Sequence, residues 1–93
     1  MTNRDYELID NTELKRFEMH VDGHIAFLEY ILKPDKIYLI HTEVPPAIGN
    51  RGIGSKLVKK ILEEVDRRGL KVVPACSFVE IYIKRHPEWK KLL

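Results

Sequence analysis

The chain has 93 residues, 44% of them hydrophobic and 32% charged, and its 16 basic and 14 acidic side chains leave a formal net charge of +2. That length leaves room for one core, so a multi-domain enzyme is excluded and a single domain over 1–93 is expected. The even charge gives no bulk attraction to nucleic acid or an anionic membrane, and one cysteine excludes an internal disulfide or a multi-cysteine zinc site.

A polar start, Met1-Thr2-Asn3-Arg4-Asp5-Tyr6-Glu7, and the lack of any long apolar run argue against a signal peptide or transmembrane helix, and the cytoplasm is the expected compartment. A short strand is possible around Tyr6 to Ile9. Phe17, Met19 and Val21 then alternate as in a half-buried strand, and the pattern resumes after Asp22-Gly23 with Ile25, Phe27 and then Leu28, Tyr30, Leu32. Asp-Gly between alternating runs predicts a hairpin, because both central residues of a type I′ turn need positive φ. Pro34-Asp35 marks a second turn, Lys36 to Val44 reads as a third strand, and Pro45-Pro46 ends it.

Beyond the prolines the period becomes helical. Ile53, Leu57, Val58, Ile61, Leu62 and Val65 form one stripe, charges on the other face are spaced for i,i+4 pairs such as Lys59 to Glu63, and Gly69 stands where a left-handed C-terminal cap belongs. Leu70 to Val73 reads as a buried strand stopped by Pro74. Ser77-Phe-Val-Glu80 reads as a capping box opening a second helix that ends before Pro87. The fold class is therefore α/β with a mixed sheet: an antiparallel meander followed by a β-α-β-α unit, with helices packed on the sheet.

Three features carry chemistry. The first is Gly49-Asn50-Arg51-Gly52-Ile53-Gly54-Ser55, where glycines allow close backbone approach and the free amides and dipole of a helix start favour an anion, typically phosphate. From Val44 through Leu62 there is no acid, while Arg51, Lys56, Lys59 and Lys60 are basic; the competing reading is a tight turn alone. A Walker A loop needs Lys before Ser or Thr, the reverse of Ser55-Lys56, and a dinucleotide fingerprint needs glycine where Leu57 stands. The second feature is Cys76, beside a predicted helix start that would stabilise a thiolate, although a lone cysteine is commonly buried and inert. The third is His41 with Glu43, two apart on a strand and so on one face, suited to a general base or simply to a polar strand edge. His20, His24 and His86 have no ligand spacing, Tyr82 reads as core packing with Phe78 and Ile81 on one face of the second helix, Trp89 as an anchor for the C-terminal segment, and no metal site is expected.

These residues resemble the GNAT acyltransferase superfamily. The strand ending in Val44, the proline link and Gly49-Asn-Arg-Gly52-Ile-Gly54 are similar to its coenzyme A pyrophosphate loop, and His41-Thr-Glu-Val-Pro-Pro46, Pro74-Ala-Cys-Ser77 and His86-Pro-Glu-Trp89 resemble its compact single-domain, YjdJ-type N-acetyltransferase-like group. Gly49 stands where the superfamily usually has Arg or Gln, so that contact is lost or replaced by Arg51. The resemblance implies a minimal GNAT-like fold with acetyl-CoA as cofactor, its pantetheine lying in a splay between the strands ending at Val44 and Val73. It implies backbone contacts to pantetheine at Thr42 to Val44, and a pyrophosphate cradle from Gly49, Asn50, Arg51, Gly52, Ile53, Gly54 and Ser55. It also places Cys76 near the thioester, as acetylated nucleophile or as lining of a direct-transfer site. The activity implied is acetyl transfer to a primary amine, small molecule or protein, and the alternative is a CoA-binding module without turnover.

Overall fold

The computed structural model describes residues 6–93. Four antiparallel strands come first: β1 (Ile9–Asn11), β2 (Arg16–Val21), β3 (His24–Leu32) and β4 (Lys36–Glu43). A 3-10 turn over Pro46–Ile48 leads to α1 (Ile53–Arg68), then to β5 (Lys71–Pro74), α2 (Ser77–Arg85) and a closing 3-10 turn over Pro87–Leu92. The strands lie in chain order, with β5 parallel to β4, so the expected meander and β-α-β-α unit both form. The first strand falls three residues later than Tyr6, and only its last expected residue, Ile9, is in the ladder.

The β2–β3 hairpin turns at Asp22 and Gly23, whose φ values of 50° and 80° are those a type I′ turn requires. Its register sets the sheet's two faces. Phe17, Met19 and Val21 stand beside Leu28, Ala26 and His24, and the buried apolar side chains of both strands share the face under α1. Ile25 and Phe27 point to the opposite face, where the Arg16 guanidinium lies 4.2 Å over the Phe27 ring. Leu28 and Tyr30 of the β3 apolar run are thus core, whereas Ile25 and Phe27 are not and Leu32, at the strand end, is half exposed.

The stripe of α1 is fully buried from Ile53 to Val65, packed across β2 to β5. Gly69 closes the helix in the left-handed region at φ 74°, donating to Asp66, while Leu70 N–H reaches the Val65 carbonyl. The Lys59–Glu63 pair forms at 3.7 Å, but Arg67 turns to Glu64, which also takes Arg68. Arg68 in turn holds Asp10 of β1 at 2.8 Å, and Tyr30 donates to the same carboxylate at 2.6 Å, so the short edge strand is fastened to the helix end. Val79, Tyr82 and Ile83 bury one side of α2; of the expected face Phe78, Ile81 and Tyr82 only Tyr82 is core, stacked on His86, because the helix turns Val79 and Ile83 inward and leaves Phe78 and Ile81 on its outer side, and Trp89 packs partly buried against the same core.

Two departures from regularity shape the site. Glu29 pairs with His41 and Tyr30 with Leu39, which leaves Ile40 as a bulge in β4. Before it Ile37 and Leu39 face the core; after it Thr42, opposite buried Leu28, takes that face, and His41 and Glu43 point away. The second is a divergence of strands. β4 and β5 pair from Lys36 and Lys71 to Leu39 and Pro74, and the Cys76 amide makes a last bond of 2.9 Å to the Leu39 carbonyl. From there β4 continues to Glu43 in register with β3 alone.

Candidate active site

The loop between β4 and α1 is built from below by Ile48, fully buried in the 3-10 turn. Gly49 caps that turn in the ordinary right-handed region, at φ -69° and ψ -18°. Gly52 is different: its φ of 68° lies in the left-handed region, and a Cβ there would meet nothing within 4 Å. It is the N-cap of α1, with no side chain capping the helix and no acid in the first turn. The amides of the helix start are therefore uncapped by protein side chains, at the positive end of a 16-residue helix. Arg51 is engaged by Asp22 at the hairpin tip, a bond that raises the guanidinium's already high pKa. The Lys56 ammonium lies 5.7 Å over the Tyr6 ring.

At the divergence of β4 and β5, the Thr42 hydroxyl and the Cys76 thiol share a hydrogen bond of 3.3 Å. Cys76, not Ser77, is the N-cap of α2; Ser77 is the first helical residue, so the expected capping box does not form. The reason is the bond from Cys76 N–H to Leu39, which keeps residue 76 extended and starts the helix one residue after it. Burial pushes the thiol up, but the Thr42 hydroxyl, the amides of Val79 and Phe78 and the backbone at Thr42 outweigh it, and the thiol titrates below its ordinary value. The Cys76 side chain makes no capping hydrogen bond to the helix start.

His41 Nε2 lies 3.1 Å from Glu43 Oε1, both side chains about half exposed, with the Phe27 ring edge-on to the imidazole at 6.5 Å. The two expected groups are thus assembled separately. Cys76 joins Thr42 on the helix side of the sheet, whereas His41 joins Glu43 on the open side, because the bulge at Ile40 inverts the alternation between them. Sequence reasoning assigned Thr42 a backbone role only; the hydroxyl contact to Cys76 depends on a bulge that no glycine announces.

Between the start of α1 and α2 lies a cleft of about 280 Å³ lined by Ser55, Phe78, Ile81, Tyr82, Arg85 and His86. Phe78, expected on the apolar face of the second helix, is instead 41% exposed and has its ring directly against Gly54.

Comparison with known proteins accords with this geometry. A family model described as GCN5-related N-acetyl-transferase matches residues 16–92. Protein NATD1 of Xenopus tropicalis is 35% identical over 66 residues, covering 71% of this chain and 60% of that protein. Human Protein NATD1 is 36% identical over 66 residues, covering 71% and 58%. The match thus spans about three fifths of these curated relatives. A solution structure described as a GCN5-like candidate N-acetyltransferase from Staphylococcus aureus superposes with a TM-score of 0.71 over 94% of this chain and 86% of that one; at 23% identity it establishes the shared fold. With the family model running from the first residue of β2 to the last residue of the closing turn, the chain belongs to the GCN5-related N-acetyltransferases.

Proposed function

We propose that the chain binds acetyl-CoA and transfers its acetyl group to a primary amine. The observation that carries this reading is the coincidence of two openings at one end of the sheet: the parting of β4 from β5 beyond Leu39 and Pro74, and the uncapped, acid-free start of α1 at Gly52. An anionic pyrophosphate suits the amides from Asn50 to Ser55, since a helix start without a capping side chain leaves donors for it and the dipole favours negative charge. An extended pantetheine suits the unpaired edge of β4 at Thr42 to Val44, as a strand edge offers backbone donors and acceptors. The cleft beside Ser55 and Tyr82 continues from this loop, and Arg85 supplies a positive charge on its wall.

Acetyl-CoA supplies an activated thioester carbonyl. Amine attack forms the C–N bond and breaks the C–S bond, the ammonium proton passes to a base, and the CoA thiolate leaves and takes up a proton. We assign Cys76 and Thr42, which meet where β4 and β5 part, to lining and orienting the thioester in direct transfer. His41, held by Glu43, is assigned as the base. Because His41 and Cys76 stand on opposite faces, cofactor and acceptor would approach the gap between the strands from opposite sides. The same separation favours the second reading, a CoA-binding module without turnover.

Thermal unfolding with and without acetyl-CoA tests the shared part. Ligand at about 100 times its dissociation constant adds about 2.7 kcal/mol, a rise of several degrees for a domain this small. No rise at millimolar ligand would sink both readings. A rise without acetylation of any amine in a mixed panel leaves the binding module. Loss of turnover in Cys76→Ala, together with an acetylated wild-type thiol by mass spectrometry, would replace direct transfer with the covalent route.

A further inference from the structure

Gly54 is the second residue of α1 and has no positive φ, so helical geometry gives no reason for glycine there. In a helix glycine costs about 1 kcal/mol relative to alanine, and the residue is also buried. Space accounts for it. A Cβ at 54 would lie 2.7 Å from Cζ of Phe78, 3.3 Å from Cε2 and 3.4 Å from Cε1, so the tip of that ring occupies the place of the missing methyl.

Phe78 is not a core residue. It is 41% exposed, while Val79, Tyr82 and Ile83 attach α2 to the core. Its position is what distinguishes it. It stands two residues after the N-cap Cys76, as Gly54 stands two residues after the N-cap Gly52, so one ring spans the starts of both helices. Its own amide is among the groups facing the Cys76 sulfur, all of them neutral: the Thr42 hydroxyl and backbone, and the amides of Phe78 and Val79. A push on the ring at Gly54 is therefore a push on the turn that surrounds the sulfur.

We propose that Phe78 is a positioning residue, whose ring tip seated on Gly54 fixes the first turn of α2 relative to α1 and, together with the Cys76 N–H bond to the Leu39 carbonyl, holds the Cys76 sulfur beside Thr42. Its bearing on acetyl transfer rests on the reading above; the contact itself and its test do not. The assembly ties the anion loop and the thiol together through one van der Waals contact. Glycine at 54 serves this seat as well as any ligand at the loop.

The test follows the ultraviolet absorbance of the Cys76 thiolate against pH in four proteins: wild type, Gly54→Ala, Phe78→Leu and the double variant. Gly54→Ala displaces the ring and Phe78→Leu withdraws its tip, so each single change moves the thiol midpoint up by about half a pH unit, a threefold loss of thiolate near neutral pH. In the double variant the alanine methyl fills the space the shorter side chain vacates, and the midpoint returns toward wild type. Such mutual rescue is the mark of direct contact between two sites. Unchanged midpoints in both single variants, or shifts that simply add in the double, would overturn the proposal. Should Gly54→Ala lose its cooperative melt, Phe78→Leu alone decides, and an unmoved midpoint there refutes it. If acetyl-CoA fails to stabilise the protein while the rescue holds, the acetyltransferase reading falls and the positioning contact stands.

Discussion

Glu18 is the only buried charged side chain among the described residues, 4% exposed on the sheet face away from the helices. It accepts hydrogen bonds from His20 Nε2 at 2.9 Å, Arg16 Nε at 2.7 Å and Asn11 Nδ2 at 2.9 Å. The His20 contact, then those of Arg16 and Asn11, outweigh burial and hold the carboxyl at about 2, against an ordinary 4.5. A depressed carboxyl pKa stabilises the fold above the unfolded value and loses that contribution as pH falls through the folded one. Glu18→Gln should therefore lower stability by about 1–3 kcal/mol near pH 7, with the gap to wild type closing between about pH 4.5 and 2; denaturant melts across that range measure it. A gap independent of pH would show that the loss is one of packing. Alternation in β2 made Phe17, Met19 and Val21 legible as core, but the cluster at Glu18 was not, because Asn11 joins it from another strand. Cys76 was singled out and Thr42 Oγ1 was not for a similar reason: the pair is 34 residues apart, and strand register decides which side chains meet.

At the scale of elements, signals confined to a few neighbouring residues carried through: Asp22-Gly23 to a type I′ turn, the apolar stripe to α1, and Gly69 to its left-handed cap. The bulge at Ile40 has no such signal, and it alone moves His41 and Thr42 to the faces they occupy. The start of α2 was misplaced by one residue because a tertiary hydrogen bond, Cys76 to Leu39, competed with a local capping pattern and won. The glycines of the β4–α1 loop now separate by role. Gly52 sits at φ 68°, where a side chain is strained whatever the space, whereas Gly49 is right-handed and its Cβ would meet nothing closer than 3.6 Å. Gly52→Ala should then cost about 1–2 kcal/mol and weaken acetyl-CoA binding, since the loop must relax out of its left-handed turn. Gly49→Arg should fold normally and tighten binding by about three- to tenfold through a charge-assisted contact to the pyrophosphate. Calorimetric titration of both variants with acetyl-CoA decides; weaker binding by Gly49→Arg would mean that the anion does not sit at this loop.

Across the whole molecule, both helices and the core lie on one side of a five-stranded sheet, and the net charge of +2 conceals an acid-free basic run at the start of α1. Beyond Leu39 β4 runs on beside β3 alone, leaving a gap where β5 has parted from it. On the helix side this gap meets Thr42, Cys76 and the anion loop; on the other side it meets His41, Glu43 and the Arg16-covered Phe27 ring. A two-sided arrangement separates binding from chemistry in a way a one-sided pocket would not. On the proposed reading His41→Ala removes nothing from the side that takes acetyl-CoA, so any thermal stabilisation by acetyl-CoA should stay at its wild-type value. Turnover on a primary amine should fall by about 10²–10⁴-fold, the usual worth of a positioned general base. Steady-state rates and thermal melts on the same preparation make the comparison. If His41→Ala instead abolishes the stabilisation, the imidazole belongs to the cofactor's site and the acceptor does not approach from that face; if neither quantity changes, His41 and Glu43 are a solvated strand edge and the proton leaves by another route.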